Sequence, residues 1–435
     1  MKYSFYKTIS KPVNENGDAI LYSFVTNKML KISKNVSDSI YSNNIEELSP
    51  ELRTHLIEIG ILLEDDINEL EEIIVENTDA LAATTTFNFT IFPSGNCQLG
   101  CHYCGQSHSP SKLSSALYEP TLKYIDTQLS LKKYTHLHIG WFGGEPMLGL
   151  ESIKTLTPQI KDLAKRYDLG YSARITTNGL LLNEKNFESL LEHNVKDIAI
   201  TLDGTKEYHD IRRMTKGGNG SFDVIVNNWE LISKKFPLDE LGVSISLRVN
   251  VDRFNADGVI PLLELCQEKK LRITNFDIAP IHSWGNDAHL RSFSRAEWGK
   301  KKIEYFIHLY QMGLLKNFQV PQRVKQVCLA VVENARYMDH TGKLFDCSET
   351  PLVNSYTQDY SIGHIVDFKK DEKRHFLDWN EEVYANKYPC GTCKIFPICG
   401  GSCPKEWKEG HEPCPDYKEF IDEYITLSYL TALKT

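Results

Sequence analysis

The strongest constraint on the fold is a regular alternation of strand and helix patterns that begins at Phe87. Runs rich in β-branched and aromatic residues predict six strands, at 87–93, 136–142, 171–176, 197–202, 242–251 and 274–281. Helical patterns separate these strands, for example at 114–130, 151–167, 183–193 and 220–235. This order predicts right-handed crossovers and a parallel sheet with fewer units than the eight of a closed barrel. In either arrangement, we expect the chemistry in the loops that follow the carboxyl ends of the strands.

The segment before this alternation, residues 1–85, is predicted to form a small α+β domain. Residues 20–32 alternate like two short strands, and residues 48–59 have a helical spacing that ends at Gly60. The segment holds fifteen acidic and seven basic side chains, so its net charge of −8 is nearly all of the chain's −9. Eight of the acids lie in 64–79, which we interpret either as the solvated face of a helix or as a docking surface for a basic peptide.

The composition of the whole chain limits the class of protein. An isoelectric point near 5.9 argues against nucleic-acid binding through a basic field. No run of about 18 apolar residues is present, so we expect no membrane span. The first residues, Met1 to Ser4, lack the apolar core of a secretory signal, which predicts a cytoplasmic protein. In a reducing cytoplasm, clustered cysteines are expected to bind metal rather than to form disulfides.

Three of the eleven cysteines follow the first predicted strand with the spacing CxxxCxxC. They are Cys97, Cys101 and Cys104. Iron–sulfur clusters are held by thiolates, so three ligands would leave one iron of a four-iron cluster open. A structural zinc site is the alternative, with His102 and His108 nearby, although this spacing suits zinc poorly.

Seven further cysteines lie in the loop-rich segment 321–435, which predicts a domain held together by metal rather than by a large core. They follow the pattern Cx13Gx4C, with Gly342 at the glycine, and then Cx2Cx5Cx3C and a final cysteine. These residues are Cys328, Cys347, Cys390, Cys393, Cys399, Cys403 and Cys414. A zinc ribbon on the four cysteines of 390–403 would leave the other three unexplained. The isolated Cys266 is interpreted as a small buried apolar residue.

The first cysteine group resembles the signature of the radical S-adenosylmethionine (SAM) superfamily, with aromatic Tyr103 before the last cysteine. The resemblance implies a [4Fe–4S] cluster on Cys97, Cys101 and Cys104, with SAM bound to its open iron through amino and carboxylate groups. It implies reductive cleavage of SAM to methionine and a 5′-deoxyadenosyl radical, which abstracts a hydrogen atom from the substrate. The implied fold is α/β, a partial (β/α)6 radical SAM barrel over residues 86–320.

Segments at three other predicted strand ends match the same superfamily. The sequence WFGGEP at 141–146 resembles the GGEP motif, which binds the amino group of SAM; glycines there allow a close approach of the backbone. TTNG at 176–179 continues the resemblance at the end of the third strand. TLDG…HDIRR at 201–213 is similar to a segment of sulfatase-maturating and peptide-modifying members. The match implies a ribose contact for Thr201 and carboxylate pairing for Arg213, whose alternative is a surface ion pair. The implied SAM-binding residues are Tyr103, Gly143, Gly144, Glu145, Pro146, Asn178, Thr201, Asp203 and Arg213.

The tail resembles the SPASM domain, an extension that carries auxiliary [4Fe–4S] clusters in some radical SAM enzymes. By this resemblance, one auxiliary cluster is held by Cys390, Cys393, Cys399 and Cys414. The other is held by Cys328, Cys347 and Cys403. Because no further cysteine stands between Cys328 and Cys347, an open iron or a ligand other than cysteine is expected there. The predicted domains are therefore 1–85, 86–320 and 321–435.

Two activities within this family remain open. An anaerobic sulfatase-maturating enzyme oxidises Cys or Ser to formylglycine and keeps an acid directly after the cysteine that matches Cys347. Here Ser348 stands directly after Cys347. The neighbouring acids are Asp346, before the cysteine, and Glu349, after the serine, so the catalytic base is not identified.

We favour the other activity, maturation of a ribosomally synthesised precursor peptide. Such maturases often begin with a small domain that captures the leader peptide by β-augmentation, and residues 1–85 have a suitable size. The modification would be a crosslink, such as a thioether or a carbon–carbon bond, or an epimerisation. The implied partners are the precursor peptide and an electron donor such as flavodoxin or ferredoxin, with no nucleic acid and no membrane. A zinc-stabilised binding scaffold without enzymatic activity is a distant alternative.

Overall fold

The computed structural model describes residues 1–283, 285–355, 360–368 and 374–433. The chain forms two compact units, each built from separate stretches of sequence. The barrel unit comprises 85–294 and 333–375, and the cysteine-rich unit comprises 1–84, 295–332 and 376–435. Parts of the tail are thus grouped with earlier segments of the chain in both units. The predicted division into three consecutive domains, 1–85, 86–320 and 321–435, stays a prediction.

The elements of the described residues are numbered in chain order. Strands β1 to β14 are Lys2–Tyr3, Lys7–Ile9, Ala19–Ser23, Met29–Ile32, Leu62–Leu63, Thr86–Ile91, His136–Trp141, Gly170–Thr177, Val195–Thr201, Ser244–Val251, Asn275–Pro280, Ala335–Met338, Lys343–Phe345 and Ser361–His364. Helices α1 to α14 are Lys34–Tyr41, Pro50–Glu58, Glu69–Ala82, Tyr118–Leu131, Leu150–Arg166, Glu184–Glu192, Lys206–Arg212, Phe222–Lys235, Val259–Glu268, Arg295–Gln311, Trp379–Tyr384, Phe396–Cys399, Pro404–Lys408 and Tyr417–Ala432. None of these helices is long and apolar enough to cross a bilayer.

The barrel unit is built on one nine-stranded sheet of order β11-β10-β9-β8-β7-β6-β12-β13-β14. Strands β6 to β11 pair in parallel, each with the next, which confirms the six predicted strands and the partial barrel. Because the strands are parallel, their carboxyl ends meet at one edge of the sheet, where loops can build a site.

Alternating side chains explain why these segments are strands. In β6, Phe87, Phe89 and Ile91 are fully buried, whereas Asn88 and Thr90 face the other side of the sheet. Burial of each such apolar side chain contributes about 1.5–3 kcal/mol. The covering helix α5 is amphipathic, and its last turn carries Lys165 and Arg166, as the helix dipole favours.

Strands β12 to β14 extend the sheet beyond the six predicted strands. β12 pairs in parallel with β6, and β13 and β14 continue the sheet in antiparallel fashion. Phe92, Tyr337, Phe345 and Leu352 form a shared apolar cluster against Phe142. This part of the tail therefore belongs to the barrel's sheet, and the expectation that the whole tail is a loop-rich domain is too simple.

The amino-terminal segment contains a three-stranded antiparallel sheet of order β2-β3-β4, with β3 fully buried in the middle. Part of the acidic run at 64–79 has a structural function within this unit. Asn68 caps α3, acids in the first turn suit the helix dipole, and Glu76 pairs with Lys325 at 3.2 Å. Glu69 accepts a hydrogen bond from the backbone of Phe5 at 2.8 Å. These contacts use some of the acids that a docking surface would need.

Candidate active site

A cavity of about 400 Å³ opens at the carboxyl ends of the parallel strands of the barrel unit. This volume lies in the range of small-molecule sites. Ten of the predicted site residues line it, namely Cys97, Cys101, Tyr103, Cys104, Gly143, Gly144, Glu145, Asn178, Thr201 and Arg213. The two other residues predicted for the SAM site lie outside the lining: Pro146 begins a 3₁₀ turn, and Asp203 is fully buried.

The first three cysteines lie on the loop that follows β6. Burial raises the pKa of all three thiols, and that of Cys101 reaches about 12, in part because Cys97 and Cys104 are close. Thiolates are the ligand form, so a positive centre must stabilise them here. Among the residues that the structure describes, no three His, Cys, Asp or Glu side chains are arranged to hold a single ion. A four-iron cluster spreads its ligands over separate irons, so its thiols need not converge on one point.

Amide donors surround these thiols. The backbone N–H of Leu99 donates to Cys97, and that of Gln106 donates to Cys104. Asn178 adds its side-chain amide, with Nδ2 3.7 Å from the Cys97 Sγ atom. Hydrogen bonds to cysteine sulfur stabilise the charged ligand of an iron–sulfur cluster, so this donor set fits such a group.

The turn after β7 packs directly on the cysteine loop, and its glycines make this possible. The Gly144 N–H donates to the Ser94 carbonyl at 3.2 Å, and the Glu145 N–H donates to the Asn96 carbonyl at 2.7 Å. A Cβ atom on Gly144 would lie 2.5 Å from the Asn96 oxygen. Gly143 has φ +118°, and a Cβ atom there would lie 2.7 Å from the Ser94 oxygen.

The Glu145 carboxylate is 1% exposed and is used inside the protein. It accepts hydrogen bonds from the Met147 N–H at 3.0 Å, the Thr177 hydroxyl at 2.7 Å and the Asn178 N–H at 2.7 Å. Burial raises its pKa, and these three hydrogen bonds act in the opposite direction. Glu145 thus joins the ends of β7 and β8, and a contact between its side chain and SAM stays a prediction.

Tyr103 links the cysteine loop to the ends of β9 and β10. Its hydroxyl donates to the Asp203 carboxylate at 2.5 Å and accepts from the Asn250 amide at 3.1 Å and from Arg213. The Arg213 side chain is 8% exposed and lines the cavity, so it does not form a surface ion pair. This network therefore presents the Arg213 guanidinium, a planar cationic donor, to the cavity.

A second buried layer under the site was not predicted. Arg212 is fully buried, forms an ion pair with Asp252, and holds its guanidinium carbon 4.9 Å from the Tyr103 ring centroid. His102 lies 3.6 Å from Asp252. Burial opposes ionisation of Asp252, but His102 and Arg212 outweigh it and lower the pKa of that carboxyl to about 2. The HDIRR segment places Arg212 beside Arg213, but nothing local in the sequence signals the pairing of Arg212 with Asp252.

The other two polar residues of that segment are structural. His209 accepts a hydrogen bond from the Asp203 N–H at 3.1 Å and lies 2.9 Å from the Ser221 hydroxyl. Burial lowers the pKa of His209 to about 3, so the ring is neutral at physiological pH. Asp210 accepts from the N–H groups of Ser221 and Phe222 at the start of α8. The segment thereby fixes Asp203 and Arg213.

The remaining wall of the cavity carries further polar residues, among them Arg248, which the sequence places with Asn250 toward the same rim. Arg248 pairs with Asp277 at 2.6 Å, and Ser348 donates to Glu349 at 2.9 Å. All four line the cavity together with Arg174. In contrast, Asp346 is fully buried, with its carboxylate accepting from Arg374 at 3.4 Å and from the His375 N–H at 2.7 Å.

Four tail cysteines line a second, small pocket within the cysteine-rich unit: Cys390, Cys393, Cys399 and Cys414. This is the set that the sequence assigns to one auxiliary cluster. Burial raises the pKa of the Cys390 and Cys399 thiols to about 12.

The remaining tail cysteines are divided between the units. The pKa of the Cys403 thiol is raised to about 11, chiefly by burial. The nearby Cys328 thiol raises it further. Cys347 belongs to the barrel unit, where it follows β13. The assignment of Cys328, Cys347 and Cys403 to one cluster stays a prediction.

The chain is similar to known proteins over most of its length. The model of the Radical SAM superfamily matches residues 91–257. A serine-type anaerobic sulfatase-maturating enzyme of Bacteroides thetaiotaomicron is 24% identical over 355 residues, which are 71% of this chain and 80% of the relative. A cysteine-type anaerobic sulfatase-maturating enzyme of Clostridium novyi is 22% identical over 374 residues, which are 78% of this chain and 95% of the relative.

Solved structures share the fold. anSMEcpe with bound AdoMet and the Cp18Cys peptide aligns with a TM-score of 0.59 at 19% identity, over 80% of this chain and 98% of that one. SuiB of Streptococcus suis bound to the precursor peptide SuiA aligns with a TM-score of 0.50 at 15% identity, over 95% of this chain and 98% of that one. Residues 91–257 are therefore a radical SAM domain, in a chain homologous to anaerobic sulfatase-maturating enzymes, and the protein is an enzyme that uses a [4Fe–4S] cluster and SAM.

Proposed function

We propose that this enzyme abstracts a hydrogen atom from a residue of a ribosomally synthesised precursor peptide and thereby installs a crosslink or an epimerised residue. The observation that carries the proposal is the amino-terminal sheet. The similarity to SuiB extends over 95% of the chain, whereas the similarity to anSMEcpe extends over 80%. A substrate that is a peptide with a leader would account for an amino-terminal sheet of this kind.

The edge of the amino-terminal sheet is suited to strand addition. The Ser23 N–H donates to the Lys28 carbonyl, and Leu21 pairs with Leu30. In an antiparallel pair the hydrogen bonds alternate, so the N–H groups of Met29 and Lys31 point away from β3. No other strand pairs with β4 within the described part of the chain. A leader peptide that adds here would gain main-chain hydrogen bonds.

The cavity residues have distinct tasks in this proposal. When bound, a [4Fe–4S] cluster with SAM supplies the hydrogen-atom abstraction. Cys97, Cys101 and Cys104 would hold the cluster, and the buried Arg213 guanidinium would pair with the SAM carboxylate. Thr201 would contact the ribose. Because Glu145 fixes the turn that carries Gly143 and Gly144, backbone carbonyls of that turn would accept from the SAM amino group.

The polar side of the cavity is the second part of the proposal. The Arg248 guanidinium donates a hydrogen bond to the Asp277 carboxylate, and the Glu349 carboxylate accepts one from the hydroxyl of its neighbour Ser348. We assign this side to the reacting residue of the peptide. Two auxiliary clusters on the tail cysteines would accept or pass on the electron that leaves the substrate, and a flavodoxin or ferredoxin would supply the electron that begins each reaction.

Sulfatase maturation is the second candidate, and the sequence identity of 24% to such an enzyme favours it. It requires a proton acceptor at the cavity. Asp346 is excluded from this role by its burial with Arg374 and His375, and Glu349 is the acid of that segment that lines the cavity.

The two candidates are separated by offering both substrates to one enzyme preparation. The anaerobically reconstituted protein is incubated with SAM, a reductant and either the precursor peptide encoded nearest the gene or a sulfatase peptide with the Cys or Ser target. Mass spectrometry of the precursor should show a crosslink as a loss of two hydrogens, or in heavy water an epimerised residue as one incorporated deuterium. Conversion of the sulfatase peptide alone to the aldehyde would overturn the proposal.

A further inference from the structure

The pocket that holds Cys390, Cys393, Cys399 and Cys414 contains a charged side chain as well as thiols. The Nζ atom of Lys418 lies 3.2 Å from the Cys414 Sγ atom, and Lys418 forms part of the pocket wall. The other lining side chains are mostly apolar, namely Pro389, Ile395, Phe396, Trp407 and Pro415. In such surroundings a charge acts more strongly than in water.

Lys418 lies in the turn that begins α14. This turn is set apart from the rest of the helix, because the backbone at Phe420 is non-helical (φ −121°, ψ 20°). The Cys414 sulfur, which would be a thiolate when it binds iron, accepts the lysine's hydrogen bond.

One other charged group acts on this contact and opposes the lysine. The Glu412 carboxylate lies 3.7 Å from Lys418, is hydrogen-bonded to the Cys414 side chain, and is also bound by Arg295 at 2.9 Å. Arg295 further pairs with Glu419 at 2.7 Å. The Glu412 side chain is 53% exposed, so solvent screens its charge more than that of Lys418, which is 36% exposed.

We propose that Lys418 raises the reduction potential of the auxiliary cluster on Cys390, Cys393, Cys399 and Cys414, which rests on the proposal that these residues bind a cluster. Reduction adds one electron and makes the cluster and its thiolates more negative. A cationic donor at a ligand sulfur therefore stabilises the reduced form more than the oxidised form. Net charge and hydrogen bonds to sulfur are among the factors that set the potentials of iron–sulfur clusters.

The test is a redox titration of the full-length, anaerobically reconstituted enzyme, followed by electron paramagnetic resonance, with electrons supplied by dithionite through mediators. Lys418→Met should lower the equilibrium constant for reduction of one cluster at least tenfold, which is about 59 mV for a one-electron couple. Lys418→Arg should restore most of it, and the other clusters in the same sample should keep their potentials. An unchanged potential in Lys418→Met with full iron content would overturn the role of Lys418.

A second variant carries the test if Lys418→Met fails to retain its cluster. Glu412→Gln removes the carboxylate beside Lys418 and leaves the lysine in place, so reduction of the same cluster should become easier. An unchanged potential in Glu412→Gln would overturn the proposal. A protein that contains iron for one cluster only would overturn both the role of Lys418 and the proposal of auxiliary clusters. A protein with full iron content that modifies no peptide would count against the proposed function alone, because the reduction potentials of its clusters could still be measured.

Discussion

Single residues in the active site act mainly by fixing two loops against each other. Gly144 and Glu145 bring the turn after β7 onto the backbone of the cysteine loop. Tyr103 and Arg213 join the same loop to the ends of the next strands. The geometry of the proposed SAM site therefore depends on backbone contact as much as on the side chains that face the ligand.

Gly144→Ala should damage this packing. The added Cβ would meet a backbone oxygen at 2.5 Å, and overpacking of this kind costs about 1–3 kcal/mol in the free energy of unfolding. Equilibrium unfolding and SAM affinity measure the two effects. Gly100→Ala is the matched control in the cysteine loop, because its Cβ would meet nothing closer than 3.9 Å. Equal stability and affinity in both variants would refute the packing argument.

Replacement of Cys97, Cys101 and Cys104 by Ala should remove about four iron atoms per chain and abolish formation of 5′-deoxyadenosine. Iron analysis and chromatography of the nucleoside test this prediction. Cys266→Ala is the control, since that cysteine is buried in α9 and should affect neither quantity. The assignment fails if the triple variant still produces 5′-deoxyadenosine.

The residue roles show how far sequence reasoning reached. The cysteine loop and the glycine turn directly follow strands that could be recognised from their local pattern, and Arg213 follows α7, the helix after β9; all three lie at one cavity. The buried pair Arg212 and Asp252 could not be predicted. It joins two loops whose proximity depends on tertiary packing, and either residue alone has the sequence appearance of a surface charge.

At the level of elements, the six parallel strands were predicted because hydrophobic runs and intervening helices give a local signal. Strands β12 to β14 gave none, because each has three or four residues. The pairing of β12 with β6 joins segments far apart in sequence and is decided by the core around Phe92 and Phe345. In the amino-terminal sheet, β4 is the edge strand at which we expect the leader peptide to add.

Lys31→Pro should weaken binding of the leader peptide about tenfold, or about 1.4 kcal/mol. Proline removes an N–H that points away from β3, so the pairing within the sheet is kept while the open edge loses a donor. Fluorescence anisotropy with a labelled leader measures the affinity. Lys31→Ala removes the ion pair with Asp18 and keeps the N–H, which makes it the matched control. Equal affinities for the two variants would argue against strand addition at β4.

For the whole molecule, the order of segments along the chain differs from their grouping in space. The cysteine-rich unit combines the start of the chain with 295–332 and the end of the tail. A sequence pattern can locate segments, but it cannot show which distant segments share a core. Four thiols of this unit lie in one pocket, so part of its stability should come from a bound cluster.

Removal of the clusters should therefore affect the two units unequally. After chelation under oxidising conditions, amide hydrogen exchange in 376–433 should accelerate at least tenfold, while the barrel helices of 118–268 should change little. Mass spectrometry of the two states, with the intact holoenzyme as reference, gives the comparison. A uniform change across both units would contradict a role of the cluster in holding this unit together.

The most direct test of the central claim is the yield of 5′-deoxyadenosine relative to modified precursor peptide in one anaerobic reaction. We predict that the holoenzyme forms 5′-deoxyadenosine from SAM and that its amount rises when the precursor is added, in proportion to the modified peptide. A holoenzyme with its clusters intact that forms 5′-deoxyadenosine with a sulfatase peptide, and leaves the precursor unchanged, would contradict the account.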